Sequence, residues 1–352
     1  MADFRTVTYG AEFHRLLLRV AGHAPDAELA AARVALAEGR VGDVARAVGT
    51  ITAAAGLAPT DEEFALLAAA EPESVTDLSD TRPGQWPMPA VDFQPTAPAD
   101  AGLFAPEAPP PLLDLTGVPY EFVAAVTDET DQRAVEAMSR VPGSRALWRA
   151  WRLSDPRDTG VRVFVLAADV PGADLPVVAA LLQAETGAAV EAYAPGDDLP
   201  AYQVQARGAA ALLWTAEEAY GIGIARVFDG VDPVTGPWFA PGHPVLDGAE
   251  RDRVGRYLEG GRPVLMTTQR MADVVEPARG AVVPMSYRTD GVWVWTDTVT
   301  YYLRTHGLAP DPELLAHVRG REFRAPVVGD VAEHRTLAAL FRPAAAGPVG
   351  VR

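Results

Sequence analysis

The 352-residue chain contains no cysteine, no lysine and no asparagine, so all 30 of its basic residues are arginine. A G+C-rich genome accounts for the pattern, since lysine and asparagine codons are rich in A. Each absence excludes chemistry. Without thiols there is no disulfide, no thiolate zinc site and no cysteine nucleophile. Without lysine there is no Walker lysine, no Schiff base and no catalytic amine. Without asparagine there is no N-glycosylation acceptor. Long apolar runs are also missing, and the opening MADFRTVTYG lacks a basic-then-apolar leader. These last two absences predict a cytoplasmic protein with no membrane span.

What is present is apolar and acidic. The apolar fraction of 49% suffices for a sizeable core, and the formal net charge is -17. The acid excess is uneven: residues 51–115 hold eleven acids and one arginine, residues 1–50 hold six of each, and residues 116–352 hold 30 acids and 23 arginines. Phosphate backbones and anionic membranes repel such a chain, so neither nucleic acid nor membrane is an expected partner. A basic protein is the natural partner, and solubility alone is the alternative reading.

The first 80 residues carry helical periodicity. GAEFHRLLLRVAG sets Phe13, Leu16, Leu17 and Val20 on one helical face. Asp26 reads as the cap of AELAAARVALAEG, a third helix runs from about Val41 to Ala55, and Thr60 with Glu63 spells a capping box. Residues 81–112 then hold nine prolines, which fix φ and remove amide donors, so this stretch is extended. An inert linker needs no large aromatics, yet Trp86, Phe93 and Phe104 are spaced along it. It reads as a strap across a domain, or else as a free linker or partner ligand. Beyond Thr116, strand-like runs (VRVFVLAADV, residues 189–194, ALLW, YGIGIARVF and PVLMTT) alternate with helical ones near 175–185 and 248–259. The fold class is α+β: a helical domain over 1–80, a proline-rich acidic strap over 81–115, and a mixed domain over 116–352 that ends in a β-hairpin and helices.

AVVPMSYRTDGVWVWT carries the clearest hairpin signal. Asp290-Gly291 suits a two-residue turn, which pairs Thr289 with Val292, Arg288 with Trp293, Tyr287 with Val294 and Ser286 with Trp295. Alternation then puts Val283, Met285, Tyr287, Val292 and Val294 on a core face, and Ser286, Arg288, Trp293 and Trp295 on the other. Arg288 on the Trp293 indole is worth about 0.5–2 kcal/mol. Thr296 or Asp297 caps the helix that follows, Val299, Tyr302, Leu303 and His306 form its stripe, and Gly307 ends it. Asp311-Pro312-Glu313 starts another helix, and a last one spans Val331–Phe341. Either both tryptophans pack beneath the C-terminal helices, or Arg288, Trp293 and Trp295 form an exposed partner-binding patch.

The run PMSYRTDGVWVWTDTVTYYL, within Pro263–Val318, resembles C-terminal modules of uncharacterised proteins from G+C-rich bacteria. Some of these are linked to secreted polymorphic toxins and their immunity partners. The resemblance implies a toxin-neutralising or toxin-associated role and carries over no functional residue. Toxin-linked zinc deaminases need a cysteine pair, so that version is excluded.

Catalytic patterns are sparse. Glu313 and His317 share a helix face, and His306, His317 and His334 lie close in sequence, but no His-Glu-x-x-His element exists, so solvated or capping histidines are expected. Gly221 and Gly223 lack the third glycine of a dinucleotide fingerprint, because position 226 is arginine. Neither Ser144 nor Ser286 sits in a nucleophile elbow. The acid pairs Asp197-Asp198 and Glu217-Glu218 read as solvated loops. SRALWRAWRL gathers Arg145, Arg149 and Arg152 around Trp148 and Trp151 at helical spacing, a grip for an anion, a partner or the acidic arm.

The expected function is that of a non-enzymatic acidic interaction protein, immunity-like in its most specific form and neutralising a basic toxin. Arg288, Trp293 and Trp295 are its expected contact residues, and no cofactor or metal is called for. The alternatives are an enzyme with a cleft near Trp238 and His243, or a structural subunit of a bacterial assembly.

Overall fold

A computed structural model describes residues 4–78, 86–105, 108–155 and 157–342, so parts of the proline-rich arm (81–85 and 106–107) lie outside the described residues. The class is α+β, with a helical N-terminal region, mixed sheets beyond it and helices at the end. The chain divides into two compact units, 1–218 and 219–352.

Unit 1 opens with α1 (Phe4–Val20), α2 (Asp26–Ala37), α3 (Val41–Ala54) and α4 (Asp61–Ala70). The apolar spacing does what it predicts: Phe13, Leu16, Leu17 and Val20 are buried and share one core with Val44, Val48, Ile51 and Leu67. The capping box of α4 forms, with the Glu63 amide donating to the Thr60 hydroxyl at 3.2 Å and the Thr60 amide to the Glu63 carboxylate at 2.8 Å. Asp26 does not cap α2, as its sequence position suggested. Pro25 holds the cap position, and the Asp26 carboxylate instead accepts two bonds from Arg152 at 2.9 and 2.6 Å.

The arm lies across unit 1 as a strap. Trp86 Nε1 donates to the Ala58 carbonyl at 2.7 Å, Phe93 meets Tyr202 edge-on at 5.2 Å, and Phe104 meets Phe122 at 6.3 Å. It is not extended throughout, because Pro98–Phe104 forms a 3-10 helix; it also supplies two short strands, β1 (Asp92–Gln94) and β2 (Leu113–Asp114). There follow α5 (Tyr120–Val126), α6 (Glu129–Arg140), β3 (Ser144–Leu153), β4 (Val161–Ala168), α7 (Leu175–Thr186), β5 (Ala189–Tyr193), α8 (Ala201–Gly208) and β6 (Ala211–Thr215). The sheet runs β2-β6-β3-β4-β5, with β1 paired to the far end of β3. β4 and β5 are parallel, and α7 is their crossover. Helices α6 and α7 cover one face through Met138, Leu147, Phe164, Leu166, Leu182 and Val190.

SRALWRAWRL is β3, not a helix. Its neighbours decide this, since β4 and β6 offer ladders on both sides and the sheet is covered on both faces. Alternation then sends Arg145 and Arg149 to one face and Arg152 to the other, so the three never converge.

β5 ends the sheet, and the helical layer covers it with a polar seam. His14 Nε2 donates to the Ala192 carbonyl at 2.7 Å. Arg33 meets Glu191 at 2.5 Å, with both side chains at most 2% exposed. Gln203 Nε2 donates to Glu191 at 2.8 Å and to the Leu18 carbonyl at 2.8 Å. His14 thus occupies one backbone carbonyl of β5, while Arg33 and Gln203 hold the Glu191 carboxylate.

Unit 2 contains β7 (Gly223–Ile224), β8 (Gly230–Asp232), β9 (Gly236–Trp238), α9 (Gly248–Gly260), β10 (Arg262–Leu265), β11 (Arg270–Ala272), β12 (Ala281–Pro284), β13 (Tyr287–Thr289), β14 (Trp293–Thr296), α10 (Asp297–His306), α11 (Pro312–Gly320) and α12 (Asp330–Phe341). Its main sheet runs β10-β13-β14-β7, with β8–β9 and β11–β12 as separate two-stranded ribbons. YGIGIARVF contributes only the two residues of β7. Gly307 takes φ 74° at the end of α10, and Asp311 accepts from the Glu313 amide at 2.9 Å, both as expected.

The hairpin register differs from the two-residue turn. Tyr287 pairs with Thr296, Arg288 with Trp295 and Thr289 with Val294. The Asp290 carboxylate accepts from the Val292 and Trp293 amides at 3.0 and 2.8 Å, and the Gly291 amide donates to the Thr289 hydroxyl at 2.9 Å. These side-chain bonds hold a longer loop, with Gly291 at φ 92°. The slip is two residues, so the paired strand residues Tyr287, Arg288, Val294 and Trp295 keep their assigned faces, whereas Val283 pairs with Met271 in the separate β11–β12 ribbon and Val292 lies in the loop.

Two outcomes follow from the seam. Replacing Arg33 with Met leaves Glu191 charged and unpaired, and should cost about 3–5 kcal/mol. Adding Glu191→Met should return most of that loss, as read by urea unfolding; equal loss in the single and double variants would contradict it. Burial outweighs the Ala192 bond and holds the His14 imidazole down at about 4 against 6.5. The unfolded chain therefore takes up the proton first, and unit 1 loses stability as pH falls from about 6.5 towards 4, by roughly 3 kcal/mol. His14→Gln should remove that part of the slope between pH 7 and 5.

Candidate functional site

The aromatic face of the hairpin is not a surface patch. Trp295 is 1% exposed, and its Nε1 donates to the Leu258 carbonyl at 3.2 Å. Gly261 makes this fit possible, because a Cβ there would lie 2.4 Å from the indole. Trp293 is half-buried against the same core, beside His317. Arg288 pairs with Asp297 at 2.6 Å and donates to the Glu259 and Gly261 carbonyls at 3.0 Å each. It thus joins the C-terminal end of α9 to the first turn of α10, the two places where a cation and an anion respectively are favoured. The three residues are brought together as expected, but α9 and α11 cover them.

Contrary to the sequence expectation, His306 and His317 are neither solvated nor caps, because buried aspartates take them, and His334 is buried within α12. Asp273 accepts from the Val275 and Glu276 amides at 2.9 and 3.1 Å on one oxygen, and from His306 Nε2 and the Tyr301 hydroxyl at 2.7 and 2.9 Å on the other. Asp290 repeats the arrangement. One oxygen takes the amides two and three residues on; the other takes His317 Nε2 at 2.6 Å and the Tyr257 hydroxyl at 2.5 Å. Both carboxylates are fully buried. These are clamps that tie loops to helices, with all four partners engaged.

The space beside His243 is small. The cavity bounded by Phe228, Asp229, His243 and Asp311 measures about 30 Å³, about the share of one water in the liquid. His243 is held at both ends, Nδ1 by Asp229 and Nε2 by the Ala309 carbonyl, each at 2.9 Å. Trp238 is 47% exposed on the β8–β9 ribbon.

The arginines of β3 are also already paired. Arg145 meets Asp169 at 2.6 Å on the surface. Arg149 is buried; it pairs with Asp131 and donates to the Val126 and Pro95 carbonyls at 2.9 and 2.6 Å. Arg152 holds Asp26 and the Tyr202 hydroxyl. Arg149 therefore does grip the arm, through a backbone carbonyl and not through its acids.

A cleft of about 640 Å³ opens elsewhere in unit 1. Glu12, Arg15, Leu16 and Arg19 follow one another at helical spacing along one face of α1 and form a wall. Glu62, Glu63 and Leu66 come from the start of α4, and Asp197, Asp198, Leu199 and Pro200 from the loop before α8. The seam positions this geometry, because it holds α1 against β5 and α8. Five carboxylates and two guanidiniums line the cleft over an apolar floor. Arg19 is occupied: it pairs with Glu63, and its Cζ sits 3.9 Å from the Trp86 ring centroid. The pair Asp197-Asp198 is exposed, as its sequence predicts, yet it faces this cleft.

Charge is partitioned with the same sharpness. Unit 1 holds 32 acidic residues and 15 arginines, and unit 2 holds 15 of each, so unit 1 carries the whole net charge of -17. No helix among the described residues is long and apolar enough to cross a membrane, and no group of three or more His, Asp or Glu among them is arranged to hold a metal ion. No family model matches the chain, and neither a curated protein nor a solved structure is significantly similar to it.

The clamps make a testable acid limit. Burial pushes the Asp273 carboxyl up, but the bonds from His306, Glu276, Tyr301 and Val275 outweigh it and hold the group down at about 2 against 3.8. A depressed carboxyl stabilises above its unfolded value, and that contribution is lost as pH falls from 3.8 through 2. Asp273→Asn should destabilise unit 2 at pH 7 and flatten its stability between pH 4 and 2, read by tryptophan fluorescence in urea. An unchanged slope would contradict this.

Proposed function

We propose that this is a non-enzymatic acidic binding protein, and that the unit 1 cleft receives a basic segment of a partner protein. The observation that carries the proposal is a cleft walled by five carboxylates on a unit that holds all of the chain's net charge. A concavity of this volume lies in the range that buries a drug-sized ligand, or a few residues of peptide. Its leucines take apolar side chains while the carboxylates take cations. The field of a -17 unit speeds the encounter with a basic partner and makes it sensitive to salt. In the form that the hairpin resemblance suggests, the partner is a basic toxin and binding neutralises it.

The test uses a fluorescein-labelled Arg-Leu-Arg-Arg-Leu peptide, followed by anisotropy at low and physiological salt. Glu12→Arg with Asp198→Arg reverses two charges in the cleft. Glu121→Arg with Glu129→Arg reverses two exposed charges elsewhere in unit 1 and changes the net charge equally. The cleft pair should weaken binding at least tenfold and the control pair no more than about twofold. Equal losses would show attraction to the acidic surface in general and would contradict the cleft.

A further inference from the structure

The two guanidiniums of the cleft are in different states. Arg19 has Glu63 on one side and the Trp86 indole on the other. Arg15, one turn earlier on the same face of α1, is exposed and forms no ion pair among the described residues. Glu12 lies only three residues away, yet it does not hold Arg15, nor do Glu62, Asp197 or Asp198 across the cleft. The arginine therefore presents its N–H donors to whatever fills the space. A ligand made only of cations would cover this group, strip its water and give it nothing to bond. An uncompensated charge shut away from water is strongly disfavoured, more so beside like charges.

We propose that the cleft selects a ligand bringing a carboxylate together with its cations, and that Arg15 reads the carboxylate. This rests on the reading of the cleft as the binding site, and it narrows the ligand class from basic to zwitterionic. The favoured occupant is the C-terminal segment of a basic protein, where a carboxylate, basic side chains and apolar side chains come within a few residues of one another. A guanidinium suits that role because its planar fork matches a carboxylate with two parallel bonds. Arg15 then acts by exclusion as well as by attraction, since it penalises purely cationic segments that the surrounding acids would otherwise accept.

The experiment compares three peptides of one sequence, Arg-Leu-Arg-Arg-Leu: one with a free C-terminal carboxylate, one amidated, and one amidated with glutamate as the last residue. Each is titrated against the full chain and against Arg15→Met, which keeps an unbranched apolar stem and removes the charge. The wild type should bind the free acid at least fivefold more tightly than the amide, although the amide is the more cationic. Arg15→Met should abolish or reverse that order. If the glutamate amide matches the free acid, a side-chain carboxylate serves equally; if it behaves as the plain amide, the C-terminus is the ligand. Both results support a carboxylate-reading Arg15. Equal or tighter binding of the amide to the wild type would overturn the proposal, as would an unchanged ratio in Arg15→Met. The charge reversal at Glu12 and Asp198 separates the two readings. If it weakens all three peptides while the acid preference is missing, only this inference falls. If none of the peptides senses the reversal, the cleft itself is not the site.

Discussion

The buried contact of Arg33 with Glu191 is the constraint on which unit 1 depends. It acts together with the Arg152–Asp26 pair and with Tyr202 packed into the helical core to set the helices of the first 70 residues against the sheet. With it, and with His14 and Gln203 beside it, α1 and α2 are locked along the β5 edge. A buried ion pair is poor evidence for stability, since apolar replacements often do as well. Its value here is placement. The seam sets one face of α1 opposite the loop before α8, and the cleft is the space between them. An apolar seam of equal area would allow neighbouring registers and would not fix which carboxylates face each other.

Unit 2 solves a different problem with the same residue type. A chain without asparagine lacks one of the usual side chains that hold loops. Asp273 and Asp290 take that work, each using one oxygen for two backbone amides and the other for a tyrosine and a histidine. A carboxylate with four donors is stable in a buried position because the bonds replace its hydration. Histidine and aspartate within hydrogen-bond reach resemble catalytic machinery, yet here every partner is a structural neighbour. Unit 2 is neutral in sum, whereas the cleft of unit 1 gathers five carboxylates against two guanidiniums. That contrast supports the proposal of a binding site in unit 1.

Much of the architecture was legible in local patterns. The helices of the first 70 residues, the capping box at Thr60, the strap aromatics, the strand at 161–168 and the helix capped by Asp311 all follow from periodicity and from residues within a turn of one another, whereas Thr296 holds the cap position of α10 without a side-chain cap bond. The hairpin was legible in its faces but not in its register, because the choice of loop was made by the Asp290 and Thr289 side chains against the preference of Asp-Gly for a tight turn. SRALWRAWRL misled because its arginines and tryptophans fit a helix locally, and only the flanking strands make it β3. The cleft was illegible for a simpler reason. Glu12, Glu62 and Asp198 are ordinary surface acids in sequence, and they meet through contacts distant in sequence, such as Arg33 with Glu191 across 158 positions and Gln203 with Leu18 across 185. No local signal encodes a contact at that separation. The tryptophans at 293 and 295 drew attention as rare residues do, and packing claimed them.

The central claim is that a basic ligand enters the unit 1 cleft. The most direct measurement is backbone amide NMR of the whole chain while an arginine-rich peptide with a free C-terminus is titrated in. The account predicts shifts confined to residues 12–19, 62–66 and 197–200, saturating together at a single affinity, with the amides of unit 2 unmoved. Shifts scattered over the acidic surface without saturation, or centred on unit 2, would contradict it.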